Sequence, residues 1–361
     1  MLSFLSYIVW DADPSVISGW NVPRWYGLCW ALGLIFCQIV VTYVFKKEGK
    51  KVTDVDTLTV YIVAGTLIGA RLGHILFYNP MEYLSHPLSI LKIWEGGLAS
   101  HGGGIGIFIA IYLYVRTKSD QSYLWVADRI ALSVGIIGCM IRVGNFINSE
   151  IIGIPTNNEN GVVFARAFDE QMLRYNEIED IDASKGTNRE APDRYVPVNF
   201  TVQFSDMMTQ EIQAKNFIES QFKQNLVYAA SFKTPHIFED KSKPIAYELT
   251  KQNGKFVAVV KTFGIARHPA QLYEAAYSLL IFILLLLVWN RFKENTPEGL
   301  IVGLLLTVLF TLRFFDEFLK ENQEAFEDGM SLNMGQILSI PVVLIGLFLL
   351  FRAWKNHKSI S

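Results

Sequence analysis

Seven apolar runs dominate the chain, at about residues 25–45, 57–78, 102–116, 124–142, 270–290, 298–315 and 334–354. Their lengths approach the roughly 20 residues a helix needs to cross a hydrocarbon core about 30 Å thick. Lipid offers no partner for backbone N–H and C=O groups, so such runs must satisfy them internally as helices. "SLLIFILLLLVW" and "GLIVGLLLTVLF" are the strongest runs, and the third is short for a simple span. The pattern predicts an all-α polytopic membrane protein with seven transmembrane helices.

Charge sets the orientation. "KKEGKK", "RTKSD", "NRFKEN" and "RAWKNHK" follow the first, third, fifth and seventh runs. The segments after the second and sixth, "NPMEYLSHPLSILKIWEGG" and "DEFLKENQEAFEDG", are poor in lysine or acidic. Lysine and arginine in short loops mark the cytoplasmic side. The N-terminus is therefore expected outside and the C-terminus inside. Residues 150–266 form a hydrophilic insert between helices 4 and 5, on the outer side. "RYVPVNFTVQF" and "GKFVAVVKTFG" read as strands there, and "TQEIQAKNFIESQFKQNLVYAAS" reads as helix. The expected organisation is helices 1–4 over residues 1–149, a small α+β head over 150–266, and helices 5–7 over 267–361.

A formal net charge of −2 offers no basic surface for nucleic acid. Cys29, Cys37 and Cys139 lie inside apolar runs, where they act as small hydrophobes, and their spacing suggests neither a disulfide framework nor a metal site. "MLSFLSYIVWDADP" has no basic start or clear cleavage site, so it does not read as a cleavable leader.

On this topology, polar residues from six helices gather at the outer membrane boundary. Tyr26 opens helix 1, Arg71 lies about two turns from the outer end of helix 2, and His101 begins helix 3. Arg142 and Asn145 close helix 4, Arg267 and His268 precede helix 5, and Arg313 closes helix 6. Taken singly, several have plain structural readings. Tyr26, beside Trp25 and Trp30, suits an aromatic belt, and Arg313 can snorkel to head groups. Arg71 is different, because a charge within a span is expensive and marks function or an ion pair. Together, several guanidiniums at one depth suit a phosphate, which arginine grips in a bidentate fork.

Glycine adds a second signal. Gly65, Gly69 and Gly73 in "GTLIGARLG" make a seam that lets helices approach closely. "EGGLASHGGGIG" can bend sharply, so residues near 88–101 are expected to dip back toward the membrane, lining a wet cavity or buried in protein.

"GARLGHILFYNP", "HGGGIG" after "IWEGGLAS", "RVGNFINSE", "RHPAQLYEA" and "MGQILSIP" resemble the motifs of the prolipoprotein diacylglyceryl transferases of bacterial inner membranes. The likeness runs from about Trp25 to the C-terminus. It implies a head on the periplasmic side and two partners, phosphatidylglycerol and a prolipoprotein signal peptide with its lipobox cysteine. The implied reaction moves the diacylglyceryl group to the cysteine thiol, forming a thioether and releasing glycerol phosphate. His101 matches the family's histidine in the His-Gly-Gly motif, and Arg142, Asn145, Asn148 and Glu150 match its signature. Arg267 matches its arginine before the His-Pro pair, and Tyr26 its first-helix tyrosine. Arg71 falls in the matching second-helix motif. The chain departs from the pattern at Ser149, where the family has glycine, and after Gly153, where the usual arginine is absent. Its outer insert is also longer.

The implied chemistry needs a thiolate, and a free thiol has a pKa near 8.5. Two routes stay open: His101 as general base, or an arginine cluster that lowers the thiol pKa. Arg142 and Arg267 are the expected catalytic partners of the departing phosphate. Tyr26, Arg71, Asn145, Asn148 and Glu150 are expected to bind substrate, with Glu150 fixing an arginine. No cofactor or metal is expected. The rival reading is a transporter for an anionic substrate, since charged and glycine-broken spans occur there too.

Overall fold

The computed structural model describes residues 7–358 apart from 18–19, 21, 78–79, 93–96, 98, 187–191, 193 and 323–324. Apolar helices occupy every expected run, beginning with α1 (Trp25–Lys47) and α2 (Val52–Phe77); the short α3 (Pro80–Ser85) lies outside the runs and is followed by α4 (Ser100–Val115) and α5 (Tyr123–Ile147). Three short helices follow in the insert, α6 (Arg166–Met172), α7 (Glu211–Phe217) and α8 (Lys223–Ala229). The chain then forms α9 (Ala270–Phe292), α10 (Leu300–Asp316) and α11 (Met334–Lys358). Among the described residues, five helices are long and apolar enough to cross a membrane: those at 25–47, 52–76, 123–147, 270–295 and 334–356. This is a polytopic membrane protein. α4 and α10 are apolar but shorter, at 16 and 17 residues.

The chain divides into two compact units. The first to consider is helical and comprises residues 31–140, 276–314 and 335–361. Its apolar core joins Val44, Phe45, Leu58, Leu132, Leu285 and Ile301. Gly65, Gly69 and Gly73 of α2 face Gly102 and Gly106 of α4, and a Cβ at Gly69, Gly102 or Gly106 would strike backbone oxygen of the opposite helix. The seam read from sequence is therefore a backbone-to-backbone contact. Two buried acidic groups at helix ends are paired. Arg129, fully buried, meets Glu48 at 2.7 Å, and the Trp289 indole donates to the same carboxylate at 2.6 Å. The Asp128 carboxylate of α5 accepts the N–H groups of Gly299 and Val302 at 2.8 and 2.9 Å. It caps α10 from a neighbouring helix, satisfying donors that have no partner within their own helix.

The other unit comprises residues 1–30, 141–275 and 315–334. Its strands are β1 (Ile8–Trp10), β2 (Val162–Phe164), β3 (Ile178–Lys185), β4 (Val196–Phe204), β5 (Ile237–Phe238), β6 (Ala246–Gln252) and β7 (Lys255–Gly264). β3, β4, β7 and β5 run antiparallel in that order, and β6 also pairs with β7. β4 buries every second residue, as the alternation of "VPVNFTVQF" requires of a half-buried strand. Phe168, Phe200, Phe204, Phe217 and Phe222 fill the core beneath the sheet. The expected helix is present as α7 and α8, joined by one π-helical turn (Ile218–Phe222). β1 pairs in parallel with β2, register Ile8 to Val162, so the N-terminus is stitched into the insert.

Candidate active site

The signature stretch "RVGNFINSE" closes α5 and turns sharply. Asn148, Ser149 and Glu150 donate backbone N–H groups back to Gly144, Phe146 and Asn145 at 3.0, 3.0 and 2.9 Å. Ser149 and Ile151 both adopt φ +55°. That left-handed backbone favours glycine, and it is uncommon above all for a β-branched residue such as Ile151. The turn is thus strained on either side of Glu150. Non-glycine residues in such conformations persist only where the surroundings hold them.

The surroundings are specific. The Asn145 amide donates to Glu150 Oε2 at 3.0 Å and the Asn148 amide to Oε1 at 3.2 Å. Gln271 of α9 donates to the Glu150 backbone carbonyl at 2.5 Å. Glu150 is therefore fixed by the two asparagines, and the carboxylate facing Arg142 is a different one. Arg142 Nε meets Glu274 Oε2 at 2.7 Å, and Arg142 Nη1 donates to Asn145 Oδ1 at 3.2 Å. Gly144 lies against Tyr26: a Cβ there would come within 2.9 Å of the Tyr26 ring and 3.3 Å of Cys29 Cβ. Tyr26, Arg142, Asn145, Asn148 and Glu150 are thus joined in one local arrangement.

Glu274 also belongs to a second pairing. Its Oε1 meets Lys320 Nζ at 2.5 Å, and the same ammonium meets Glu317 at 3.0 Å and Asp316 at 3.2 Å. Lys320 is buried, and with Arg142 on Glu274 it balances three carboxylates that would be costly alone. Glu274 and Gln271 lie inside the quoted "RHPAQLYEA" motif, where the sequence reading took up only the arginine and histidine. Lys320 sat in a segment read as acidic loop. Its signal was the i, i+3 and i+4 spacing to Glu317 and Asp316. Among the described residues, no three His, Cys, Asp or Glu side chains are grouped to hold a metal ion.

Arg267 is 1% exposed and sits beside this arrangement in sequence but in a separate knot. Its guanidinium donates to Glu321 at 2.6 Å, to the Gly153 carbonyl at 3.0 Å and to the Pro235 carbonyl at 2.8 Å. Its backbone exchanges both hydrogen bonds with Val162 at 2.9 Å, and Gly153 and Ile154 N–H groups reach His268 and Leu319 carbonyls at 3.1 and 2.9 Å. Burial, with the Arg267 charge adding to it, pushes the neighbouring His236 imidazole down to about 4.

Arg71 and His101 belong to the helical unit. Arg71 is buried, and its guanidinium donates to the carbonyls of Ile90, Gly97 and Ser89 at 2.9, 3.2 and 2.5 Å. Its Cζ lies 5.0 Å from the Tyr83 ring centroid. Gly97 has φ +72°, and a Cβ there would crowd Arg71 and His74. Arg71 thus ties down the chain leading into α4, whose second residue is His101. The His101 side chain lies outside the described residues, as do residues 93–96 and 98 of the expected dip.

Comparison with known proteins decides the family. The family model described as prolipoprotein diacylglyceryl transferase matches residues 16–352. This chain belongs to the prolipoprotein diacylglyceryl transferase family. A relative from Tolumonas auensis is 34% identical over 97% of this chain and 98% of its own length. One from Porphyromonas gingivalis is 36% identical over 97% of this chain and 96% of its own. Both are named phosphatidylglycerol–prolipoprotein diacylglyceryl transferase. Family membership extends over both units and over every motif quoted above.

Proposed function

We infer that this chain transfers the diacylglyceryl group of phosphatidylglycerol to the lipobox cysteine of a prolipoprotein. The sulfur of the thiolate attacks the glycerol carbon that bears the phosphate. A carbon–sulfur bond forms, the carbon–oxygen bond to phosphate breaks, and glycerol phosphate leaves with the electron pair. The observation that carries the site assignment is the state of Arg142. Glu274 Oε2 meets its Nε at 2.7 Å and Asn145 Oδ1 accepts from its Nη1 at 3.2 Å, while the side chain stays 17% exposed. The guanidinium is oriented and partly exposed, so it can offer a donor to a phosphate oxygen.

In this reading Arg142 stabilises the leaving phosphate. Asn145, Asn148 and Glu150 shape the turn that presents it, and Tyr26 packs against that turn to bind the lipid head group. His101 accepts the thiol proton, or the arginine field lowers the thiol pKa without it. Arg267 and Arg71, both expected to touch substrate, are held by backbone carbonyls, and we assign them to positioning. Family membership disfavours the transporter reading. The proposed setting is a bacterial inner membrane crossed seven times, with α4 and α10 as the short spans. The N-terminus and the head over residues 150–266 lie in the periplasm and the C-terminus in the cytoplasm.

The test is reconstitution with phosphatidylglycerol and a lipobox peptide. Mass spectrometry should find the thioether peptide, with glycerol phosphate released in equal amount. Folded protein that makes neither product would sink the assignment.

A further inference from the structure

The described residues on either side of position 20 come together at the start of the first membrane helix. Pro14 accepts the Trp25 N–H at 2.9 Å, Pro23 accepts the Val16 N–H at 2.9 Å, and Ser15 bridges Arg24 in antiparallel fashion. The neck is thus hydrogen-bonded, with the Asp13 carboxylate accepting the Ser15 N–H at 2.8 Å. Beyond this neck the three described residues are apolar and uncovered: Ile17 is 49% exposed, Trp20 63% and Val22 74%. Trp25, which starts α1, is 37% exposed. Nothing in a soluble setting favours presenting three large apolar side chains on one loop.

We propose that this loop is an interfacial anchor that buries Ile17, Trp20 and Val22 in the lipid head-group layer at the N-terminal end of α1. Continuity with α1 identifies the occupant. Trp20 is five residues from Trp25, so the tip lies within about 17 Å of the point where a membrane-crossing helix begins. The closed neck shortens that reach further, because it folds residue 14 back onto residue 25. The polar layer on each side of the hydrocarbon core is roughly 5–8 Å deep, and tryptophan favours that layer. The anchor leads straight into Tyr26, whose ring lies on Gly144 of the signature turn. It therefore fixes the depth at which Tyr26 and Arg142 meet a phospholipid head group. This last step rests on the transferase reading, whereas burial of the tip does not.

The experiment places a nitroxide at position 20 or 22 (Trp20→Cys, Val22→Cys) in full-length protein whose Cys29, Cys37 and Cys139 are replaced by alanine. The protein is reconstituted in phosphatidylglycerol-containing vesicles, and collision rates with oxygen and with a water-soluble nickel chelate are compared. Labels at Lys251, on the exposed β6–β7 hairpin, and at Leu280, within α9, set the water and hydrocarbon limits. The tip labels should fall between them, with oxygen favoured. Values matching Lys251 overturn the anchor. So does a tip that is water-exposed alone and protected only when a lipobox peptide is added, since that would make it a peptide dock. In parallel, Ile17→Ser with Trp20→Ser and Val22→Ser should raise KM for phosphatidylglycerol in bilayers about tenfold with kcat unchanged, the effect of losing part of a few apolar burials. The same variant should behave as the parent in detergent micelles. A KM shift of equal size in both media would show that the loop acts on substrate and not on membrane depth.

Discussion

Arg142 and Arg267 reach the same small region of sequence space, an apolar helix end with polar neighbours, and they end in opposite states. Arg142 is partly exposed and held on two of its nitrogens, by Glu274 and Asn145. Arg267 is 1% exposed, and its two terminal nitrogens are committed to one carboxylate and two backbone carbonyls. In the proposed reading the same charge serves as an oriented donor to substrate in one place and as a structural tie in the other. A guanidinium that is already hydrogen-bonded to buried carbonyls must abandon them before it can grip a phosphate, and each buried acceptor left unmet is destabilising.

The contrast breaks most visibly if the two arginines are removed separately. Arg267→Ala should destabilise the fold by roughly 5 kcal/mol, because it leaves Glu321 and two carbonyls without their cation. Thermal unfolding in detergent reads this directly. Arg142→Ala should lower the melting temperature by less, because Glu274 keeps Lys320, and should lower kcat/KM by about 10²–10³. Arg142→Lys should recover little, since an ammonium cannot reproduce the fork. An Arg267→Ala protein that melts like the parent yet fails only in turnover would return Arg267 to the reacting groups.

Lys320 sharpens the comparison. It is the cation that keeps Glu274 in place beside Arg142. Lys320→Met should cost roughly 4 kcal/mol of stability, because Asp316 and Glu317 lose their cation and Glu274 keeps only Arg142. Adding Glu274→Gln should restore part of it, with a coupling of about 1 kcal/mol or more. Strict additivity of the two changes would mean that the pair is not the connection to Arg142.

Around Arg267 the fold also carries a pH signature. His236 has a folded pKa of about 4, lowered first by burial and then by Arg267. Its unfolded value is about 6.5. The unfolded chain therefore takes up the proton first as pH falls. Stability should be full above about pH 6.5 and decline toward pH 4, by up to about 3 kcal/mol. His236→Gln should flatten that part of the profile. An unchanged acid limb would show that other groups govern it.

The helices were legible because lipid demands continuous apolar sequence, and β4 was legible because a half-buried strand alternates. The signature turn was legible as a costly cluster of polar residues. Partnership was not. Glu274 and Lys320 are 46 positions apart and meet only through the fold, so no local pattern announces the pair. β1 is three residues long and pairs with a strand some 150 positions away, which periodicity cannot show. Arg71 was legible as an expensive charge, but only the carbonyls of Ser89, Ile90 and Gly97 reveal where its donors go.

The smallest expected effect lies at Ser149. Where the resemblance implies a glycine, Ser149 holds φ +55°, a conformation that disfavours any side chain by about 1 kcal/mol. Among the described residues its buried hydroxyl has no hydrogen-bond partner, so no hydrogen bond there offsets that strain. Ser149→Gly should raise stability by about 1 kcal/mol, a shift of a few degrees in melting temperature. It should leave kcat/KM within about twofold, because Asn145 and Asn148 still hold Glu150 and the turn keeps its course. A lower melting temperature would show that the hydroxyl does hold the turn. A large change in turnover with unchanged stability would show that the strained backbone, and not only the Arg142 guanidinium it supports, takes part in the reaction.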